Sequence, residues 1–146
     1  MPVAPRSHGV LAFAALALLG CAGERAQEAV EPVPSIRITS PATGDSVALP
    51  LVINLAATNL EVIPASGVAE PGRGHHHLVI DRDLPDPSLP IPAGPGLVHL
   101  GTGAQTYTLD SLPTGDHRII AVFATGDHVP MPGVRPDTVR ITIRQP

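Results

Sequence analysis

The sequence has one cysteine, no tryptophan and no lysine, and aromatic residues are only 2% of its 146 residues. A single cysteine cannot form an internal disulfide, so the fold must be stable without that cross-link. With so few aromatic side chains, the core has to consist of Val, Ile, Leu and Ala. All nine basic residues are arginine, against thirteen acidic residues, and the formal charge is −4. The basic residues are not clustered as a nucleic-acid surface requires, so we expect no nucleic-acid partner.

Proline and glycine are abundant, at 18 and 14 residues, whereas charged residues are 15% of the chain. Frequent turns with short apolar runs between them favour an all-β protein. Several of these runs have a period of two: Ile36 and Ile38 alternate with polar residues, as do Ile141 and Ile143. About seven such strands over residues 35–146 predict an immunoglobulin-like β-sandwich, with a small barrel as the alternative.

The N-terminal segment has the pattern of an export signal. Residues 10–19 form an apolar run that would rise about 15 Å as a helix, too short for a bilayer core of about 30 Å. We therefore predict a secretory signal peptide over residues 1–20. Residues 18–21, Leu-Leu-Gly-Cys, resemble the lipobox of bacterial lipoproteins, which implies a lipid on Cys21. By the same analogy, Ala22 implies sorting to the outer membrane.

Residues 21–34 contain three glutamates and two prolines among alanine and valine, with no sustained period. This composition is typical of a disordered tether. We expect the lipid to anchor the chain to a membrane of the cell envelope, facing the periplasm, and the tether to hold the domain at 35–146 off that membrane.

Histidines are the most unusual feature of the predicted domain, and His75, His76 and His77 are consecutive. Residues two apart share a strand face, so His75 and His77 would project from one side, about 7 Å apart along the backbone. His76 would point the other way, into the core. Imidazoles at this spacing can converge on one metal ion. The candidate metal ligands are the histidines that strand pairing could bring together: His75, His77, His99, His117 and His128.

Copper or zinc is the expected metal, and the sulfur of Met131 near His128 together with the imidazoles would favour copper over calcium or magnesium. A small polar or anionic ligand, or purely structural histidines, are the alternatives. For His117, which follows the turn at 112–116, we favour a structural role in which the ring holds that turn. Structural or supporting roles around the ligands are expected for His76, Asp81, Gln105 and Asp127.

Several motifs together resemble a bacterial family known as domain of unknown function 4399, whose members are secreted or lipid-anchored. Residues 74–81, Gly-His-His-His-Leu-Val-Ile-Asp, are similar to its Gly-His-His-His-Leu-Leu-Ile-Asp strand. The rest of its pattern matches segments at 64–67, 99–106, 112–117, 126–128 and 140–143. The departures are a shorter gap before His128 and the position of Gln105, one residue later than in the pattern. The resemblance implies an extracytoplasmic β domain and supplies no activity.

Residues 83–96 include five prolines and cannot form a central strand. An irregular loop of this length is either functional or mobile. The chain shows neither a nucleophile elbow nor a phosphate-binding loop, so the sequence favours a binding or accessory module over an enzyme. Our working hypothesis is a copper or other divalent-metal site. The alternatives are a module that docks an envelope protein or glycan through loop 83–96, and a metal-dependent hydrolase.

Overall fold

The computed structural model describes Met1 and residues 33–145. Residues 33–145 belong to one compact unit, Glu31–Pro146. The predicted signal peptide, Cys21 and nearly all of the predicted tether lie outside the described residues. Among the residues that are described, no helix is long and apolar enough to cross a membrane.

Between residues 33 and 145 the structure consists of strands and loops, with nine strands. They are β1 (Ser35–Ser40), β2 (Ser46–Val47), β3 (Leu51–Thr58), β4 (Glu61–Val62), β5 (Arg73–Ile80), β6 (Leu97–His99), β7 (Thr106–Leu109), β8 (Gly115–Ala124) and β9 (Asp137–Ile143). Because β2 and β4 have only two residues each, seven strands of three residues or more remain, as the sequence predicted.

The strands form two sheets. In the smaller sheet the order is β1-β3-β7, and both pairings are antiparallel. In the larger sheet the order is β2-β9-β8-β5, and the far edge of β5 pairs with β4 near its start and with β6 near its end. The chain is thus an all-β, immunoglobulin-like sandwich, which confirms the predicted fold class.

The core lies between the sheets and follows the period of two in each strand. Ile53 of β3 and Leu78 of β5 are fully buried, and Phe123 of β8 is the largest buried side chain. Each such aliphatic side chain contributes about 1.5–3 kcal/mol when removed from water. This core fixes which residues of β5 and β8 point inward, and it thereby sends the alternate residues to the outer face of the larger sheet.

That outer face carries a second, smaller apolar group, the outer apolar cluster. It consists of Val79, Ile91, Ile120, Val122 and Ala124. Four of these residues come from β5 and β8, and Ile91 comes from the proline-rich loop. Strand β8 lies between β5 and β9. It is apolar on both faces because one side meets the main core and the other meets this cluster.

Candidate metal centre

Strand β5 places two imidazoles on the outer face of the larger sheet. Leu78 and Ile80 belong to the main core, whereas Val79 belongs to the outer apolar cluster. His75 and His77 share the face of Val79, as the alternation in the sequence predicted. Both rings are almost completely buried, at 0% and 3% exposure.

The close pairing of β5 with β8 requires a glycine just before the histidines. A Cβ atom at Gly74 would lie 2.0 Å from the carbonyl oxygen of Ala124. In the antiparallel register, His75 pairs with Ala124 and His77 with Val122. Gly74 therefore allows β8 to approach the start of β5 and to cover the backbone that carries both imidazoles.

His99 reaches the same place from the neighbouring edge strand. It pairs directly with His77 in the antiparallel β5–β6 ladder, and the two rings stack with centroids 4.9 Å apart. A Cβ atom at Gly101 would lie 2.2 Å from Cε1 of the His99 ring. The space left by the missing side chain at Gly101 is therefore where the His99 imidazole sits.

His128 comes from the loop after β8. Its backbone has a φ of 73°, a left-handed conformation that is uncommon outside glycine. The loop is nevertheless well held, since the N–H of Thr125 donates to Val129 O and the N–H of His128 donates to Thr125 O. Strained backbone of this kind is often found where a side chain has a functional position.

The four rings form one group, called here the imidazole cluster: His75, His77, His99 and His128. The Nε2 atoms of His77 and His75 are 3.0 Å apart, those of His75 and His99 are 3.2 Å apart, and those of His99 and His128 are 3.2 Å apart. The candidate donor atoms of His75, His77 and His99 all lie within 4.8 Å of one another. Four nitrogens that each lie about 2.0–2.1 Å from a tetrahedral ion are separated by about 3.3–3.4 Å.

Hydrogen bonding alone does not account for these contacts. A neutral imidazole Nε2 carries either one proton or one in-plane lone pair. His75 Nε2 and His99 Nε2 each approach two other ring nitrogens, so at most two of the three contacts can be ordinary hydrogen bonds. A single cation among the four nitrogens would instead accept a lone pair from every ring.

The surroundings of His75, His77 and His99 favour the neutral form of these three rings by lowering their pKa values. Burial, and then the neighbouring imidazoles, lower the pKa of His75 to about 4 and that of His77 to about 3. Burial and His128 also lower the pKa of His99. Neutral imidazole is the form that binds metal, so at neutral pH these donors need not release a proton first.

One side of the imidazole cluster is open to solvent. His99 is exposed, and a cleft of about 310 Å³ lies beside it. The walls of the cleft are the rings of three histidines and apolar residues of the proline-rich loop and β6: His77, Pro90, Ile91, Pro92, Ala93, Leu97, Val98, His99 and His128. The cleft therefore reaches the ring of His77, which is otherwise buried.

The structure does not bring His117 to the imidazole cluster. Strands β5 and β8 are neighbours, but they are antiparallel, so His117 lies at the end where Ile80 pairs with Ile119. Its Nδ1 is 2.6 Å from Asp81 Oδ2 and its Nε2 is 2.7 Å from the carbonyl oxygen of Pro113. Both ring nitrogens therefore have hydrogen-bond partners. His117 is not placed to bind a metal with the other histidines, and its bonds agree with the structural role favoured for this residue.

The bond to Asp81 affects the ionisation of both residues. Partial burial lowers the pKa of His117, but the bonds to Asp81 and Pro113 outweigh it, and the net pKa is raised. Burial raises the pKa of Asp81, whereas the Arg118 N–H and His117 lower it, and the net pKa is lowered. The pair closes the turn after β5 and is a structural hydrogen-bonded unit.

The other supporting candidates lie in different places. His76 faces the core, with its ring 5.2 Å from that of Phe123. Gln105 is exposed beside β7. Its main-chain carbonyl accepts a hydrogen bond from the N–H of Leu55 in the smaller sheet, away from the imidazoles. Asp127 accepts from the Thr125 hydroxyl at 2.5 Å and so supports the loop that carries His128.

One feature of the site differs from the sequence-based expectation, and one lacks the usual support. Met131 is buried in the main core, so its sulfur does not join the imidazoles there. Within residues 33–145, Nδ1 of His75 has no hydrogen-bond partner, and neither ring nitrogen of His76 has one. Metal-bound histidines usually donate the other N–H to an oxygen, so His75 lacks the usual support and is held by packing.

Two residues that shape the site were not among the sequence candidates. Gly101 follows His99 by two positions, and the His-x-Gly spacing is its only sequence signal. Ile91 is an apolar residue between two prolines, and nothing local indicates that it reaches β5 and β8. Its role depends on the path of the loop.

Comparisons with known proteins identify the family. A fibronectin(III)-like module structure of CbhA from Clostridium thermocellum is similar, with 16% identity, a TM-score of 0.43, and coverage of 75% of this chain and 96% of that one. A search of curated proteins gave no match. The model of the family described as domain of unknown function, DUF4399, matches residues 53–144, which include all four histidines of the imidazole cluster. The chain therefore belongs to the DUF4399 family.

Proposed function

We propose that this protein is a lipid-anchored module of the cell envelope that binds one divalent transition-metal ion. His75, His77 and His99 are the principal ligands and His128 is the fourth. The observation that carries the proposal is that donor atoms of His75, His77 and His99 all lie within 4.8 Å of one another, with His128 Nε2 3.2 Å from His99 Nε2. Three separate segments of the chain supply them.

The donor set supports zinc or copper. Imidazole nitrogen suits zinc, copper and nickel, whereas calcium and magnesium need oxygen ligands. Among the described residues, the donors that converge in the cluster are imidazole nitrogens, and no carboxylate oxygen joins them. Because the Met131 sulfur lies in the main core, the preference for zinc or copper over calcium and magnesium rests on the imidazole nitrogens alone, and zinc and copper are both candidates.

Four protein ligands favour binding over catalysis. A catalytic zinc keeps one coordination position open for water or substrate, whereas a structural or carrier site fills all four. His128 supplies the fourth nitrogen, 3.2 Å from that of His99. A metal-dependent hydrolase would need His128 to leave the ion, and its loop is tied down by several main-chain bonds.

Elemental analysis of the full chain, purified without a histidine tag and equilibrated with zinc or copper, tests the proposal. We expect roughly one bound ion per chain for a single four-ligand site. The exposed His99 can be replaced with little risk to the fold, and His99→Ala should lose most of the bound metal. His117→Gln is the matched control, since it removes a histidine of β8 that lies away from the imidazole cluster, and it should retain the metal. A metal content near zero in the wild type with both ions would end the proposal.

One observation favours a second candidate, a docking function for loop 83–96. Leu84 and Leu89 are 47% and 57% exposed on a loop that is itself fixed at Ile91. A fixed loop with exposed leucines can present them to an envelope protein at low entropic cost. Leu84→Ser together with Leu89→Ser should then abolish co-purification of a crosslinked envelope partner without changing metal content. Unchanged crosslinking would remove this candidate.

A further inference from the structure

Ile91 behaves differently from the loop around it. Residues 86–90 and 92–95 are exposed, whereas Ile91 is only 7% exposed. Its side chain packs in the outer apolar cluster with Val79, Ile120 and Val122. Burying an isoleucine contributes about 1.5–3 kcal/mol, so this one residue is the apolar anchor of a polar, proline-rich segment.

The residues on both sides of Ile91 make that anchor rigid. Pro90 and Pro92 each fix their own φ, and each restricts the residue before it to extended conformations. Ile91 precedes Pro92 and is therefore held extended. The loop loses little conformational freedom when Ile91 docks, because the two prolines already restrict its backbone in the unfolded chain.

The anchor is joined to the imidazole cluster by a main-chain hydrogen bond. The N–H of Ile91 donates to the carbonyl oxygen of His128 at 2.9 Å. His128 is the residue with the left-handed φ of 73°. A peptide held in that conformation turns its carbonyl and side chain in fixed directions, so a bond to the carbonyl helps to set where the imidazole points.

We propose that Ile91 is a positioning residue for the fourth metal ligand. By docking in the outer apolar cluster, it holds its N–H against His128 O and keeps the His128 ring turned toward His99. Loop 83–96 is thus a wall of the metal site. This inference rests on the proposed function and deepens it, because it makes the orientation of the fourth ligand, His128, depend on a residue that does not itself bind the metal.

The test compares zinc affinity and cobalt spectra in the full chain. Ile91→Ala removes the anchor, and we expect zinc affinity to fall about 10-fold, in the range for supporting residues. The visible absorption of the Co²⁺-loaded protein should shift toward that of His128→Asn, a variant that tolerates the left-handed backbone but removes the imidazole. Ile91→Val should retain wild-type affinity. Leu89→Ala, an exposed apolar residue of the same loop, is the matched control and should change neither readout.

A double-mutant cycle separates positioning from a general structural effect. In a His128→Asn background, Ile91→Ala should cause no further loss of zinc affinity, because the ligand on which it acts is already gone. An equal loss in both backgrounds would overturn the inference, as would wild-type affinity and an unshifted cobalt spectrum in Ile91→Ala. Should Ile91→Ala fail to fold, Ile91→Thr applies the same test with a smaller loss of packing. Absence of metal in the wild type would instead remove the proposed function, and this inference with it.

Discussion

Single residues decide how closely each imidazole can approach the others. His75 and His77 are fixed by burial in β5, whereas His99 is exposed at the sheet edge and depends on the space above Gly101. The alternation of the sequence indicates the facing of His75 and His77. It does not indicate that position 101 must be a glycine, because the need for space there arises only when the His99 ring folds back over its own chain.

Replacing Gly101 should weaken the site without damaging the fold. In Gly101→Ala the new Cβ would meet the His99 ring at 2.2 Å, and a surface ring can move away from it. We expect zinc affinity to fall about 10-fold, as for loss of a supporting contact. Isothermal titration of zinc measures the effect. Gly94→Ala is the control, since its Cβ would meet nothing closer than 3.9 Å. Unchanged affinity in Gly101→Ala would show that the His99 ring does not need this position.

At the level of single elements, two separate groups of interacting side chains lie at the two ends of β5. The imidazole cluster lies near its start, and the Asp81–His117 pair lies just beyond its end. The histidine pKa values move in opposite directions at the two ends. This separation leads to two predictions with opposite dependence on pH.

The metal-free protein should lose stability as the pH falls below about 6.5. The pKa values of His75, His76 and His77 are lowered to about 4, 4 and 3, chiefly by burial. Between pH 6.5 and about 4 the unfolded chain binds protons that the folded chain excludes, so acid favours unfolding. From pH 7 to pH 5 we expect a loss of up to about 2 kcal/mol for each buried imidazole. Urea unfolding at the two pH values measures it, and equal stabilities would contradict the burial of these rings.

Asp81→Asn should destabilise the protein by about 1–2 kcal/mol, because His117 Nδ1 loses a charged partner. The raised pKa of His117 contributes stability that is complete below its ordinary pKa and is lost as the pH rises through the folded value. The difference from the wild type should therefore be larger at pH 6 than at pH 9, as measured by urea unfolding. Asparagine also tolerates the left-handed φ of 54° at this position.

Metal binding is the readout that tests the separation of the two ends. Zinc affinity of Asp81→Asn should equal that of the wild type, because neither Asp81 nor His117 contacts the imidazole cluster. A parallel loss of zinc affinity would show that the two ends of β5 are coupled through the strand.

At the level of the whole molecule, the sandwich places the imidazole cluster on the outer face of the larger sheet. The main core packs between the sheets, and loop 83–96 covers part of the outer face through Ile91. The site therefore lies between a sheet and a loop, with donors from β5, β6 and the segment after β8. The fold itself would survive loss of any exposed donor.

The proposed lipid anchor and the proposed metal site belong to different segments of the chain. Cys21→Ser should release the protein from the membrane fraction and abolish labelling by a radioactive fatty acid, because the lipid is expected on that sulfur. Its metal content should not change, since the imidazole cluster is built from residues 75–128. Continued membrane association without label would show that Cys21 is not the point of attachment.

The amino-acid sequence by itself determined the fold class and the outward face of β5. Alternation with a period of two, frequent turns and apolar β-branched runs are local properties, and they predict a sandwich before any pairing is known. They also predicted that His75 and His77 share a face, because side chains alternate between the two faces of any strand.

Tertiary structure decided which other histidines join them. His117 lies in β8 and His128 in the loop after it, but the antiparallel register sends His117 to the far end and brings the loop with His128 back to His75. The same holds for Met131 and Ile91, whose places depend on the path of a loop and on what it covers. Which strands become neighbours and where a long loop runs depend on the packing of the whole domain, and the pattern within one strand does not encode them.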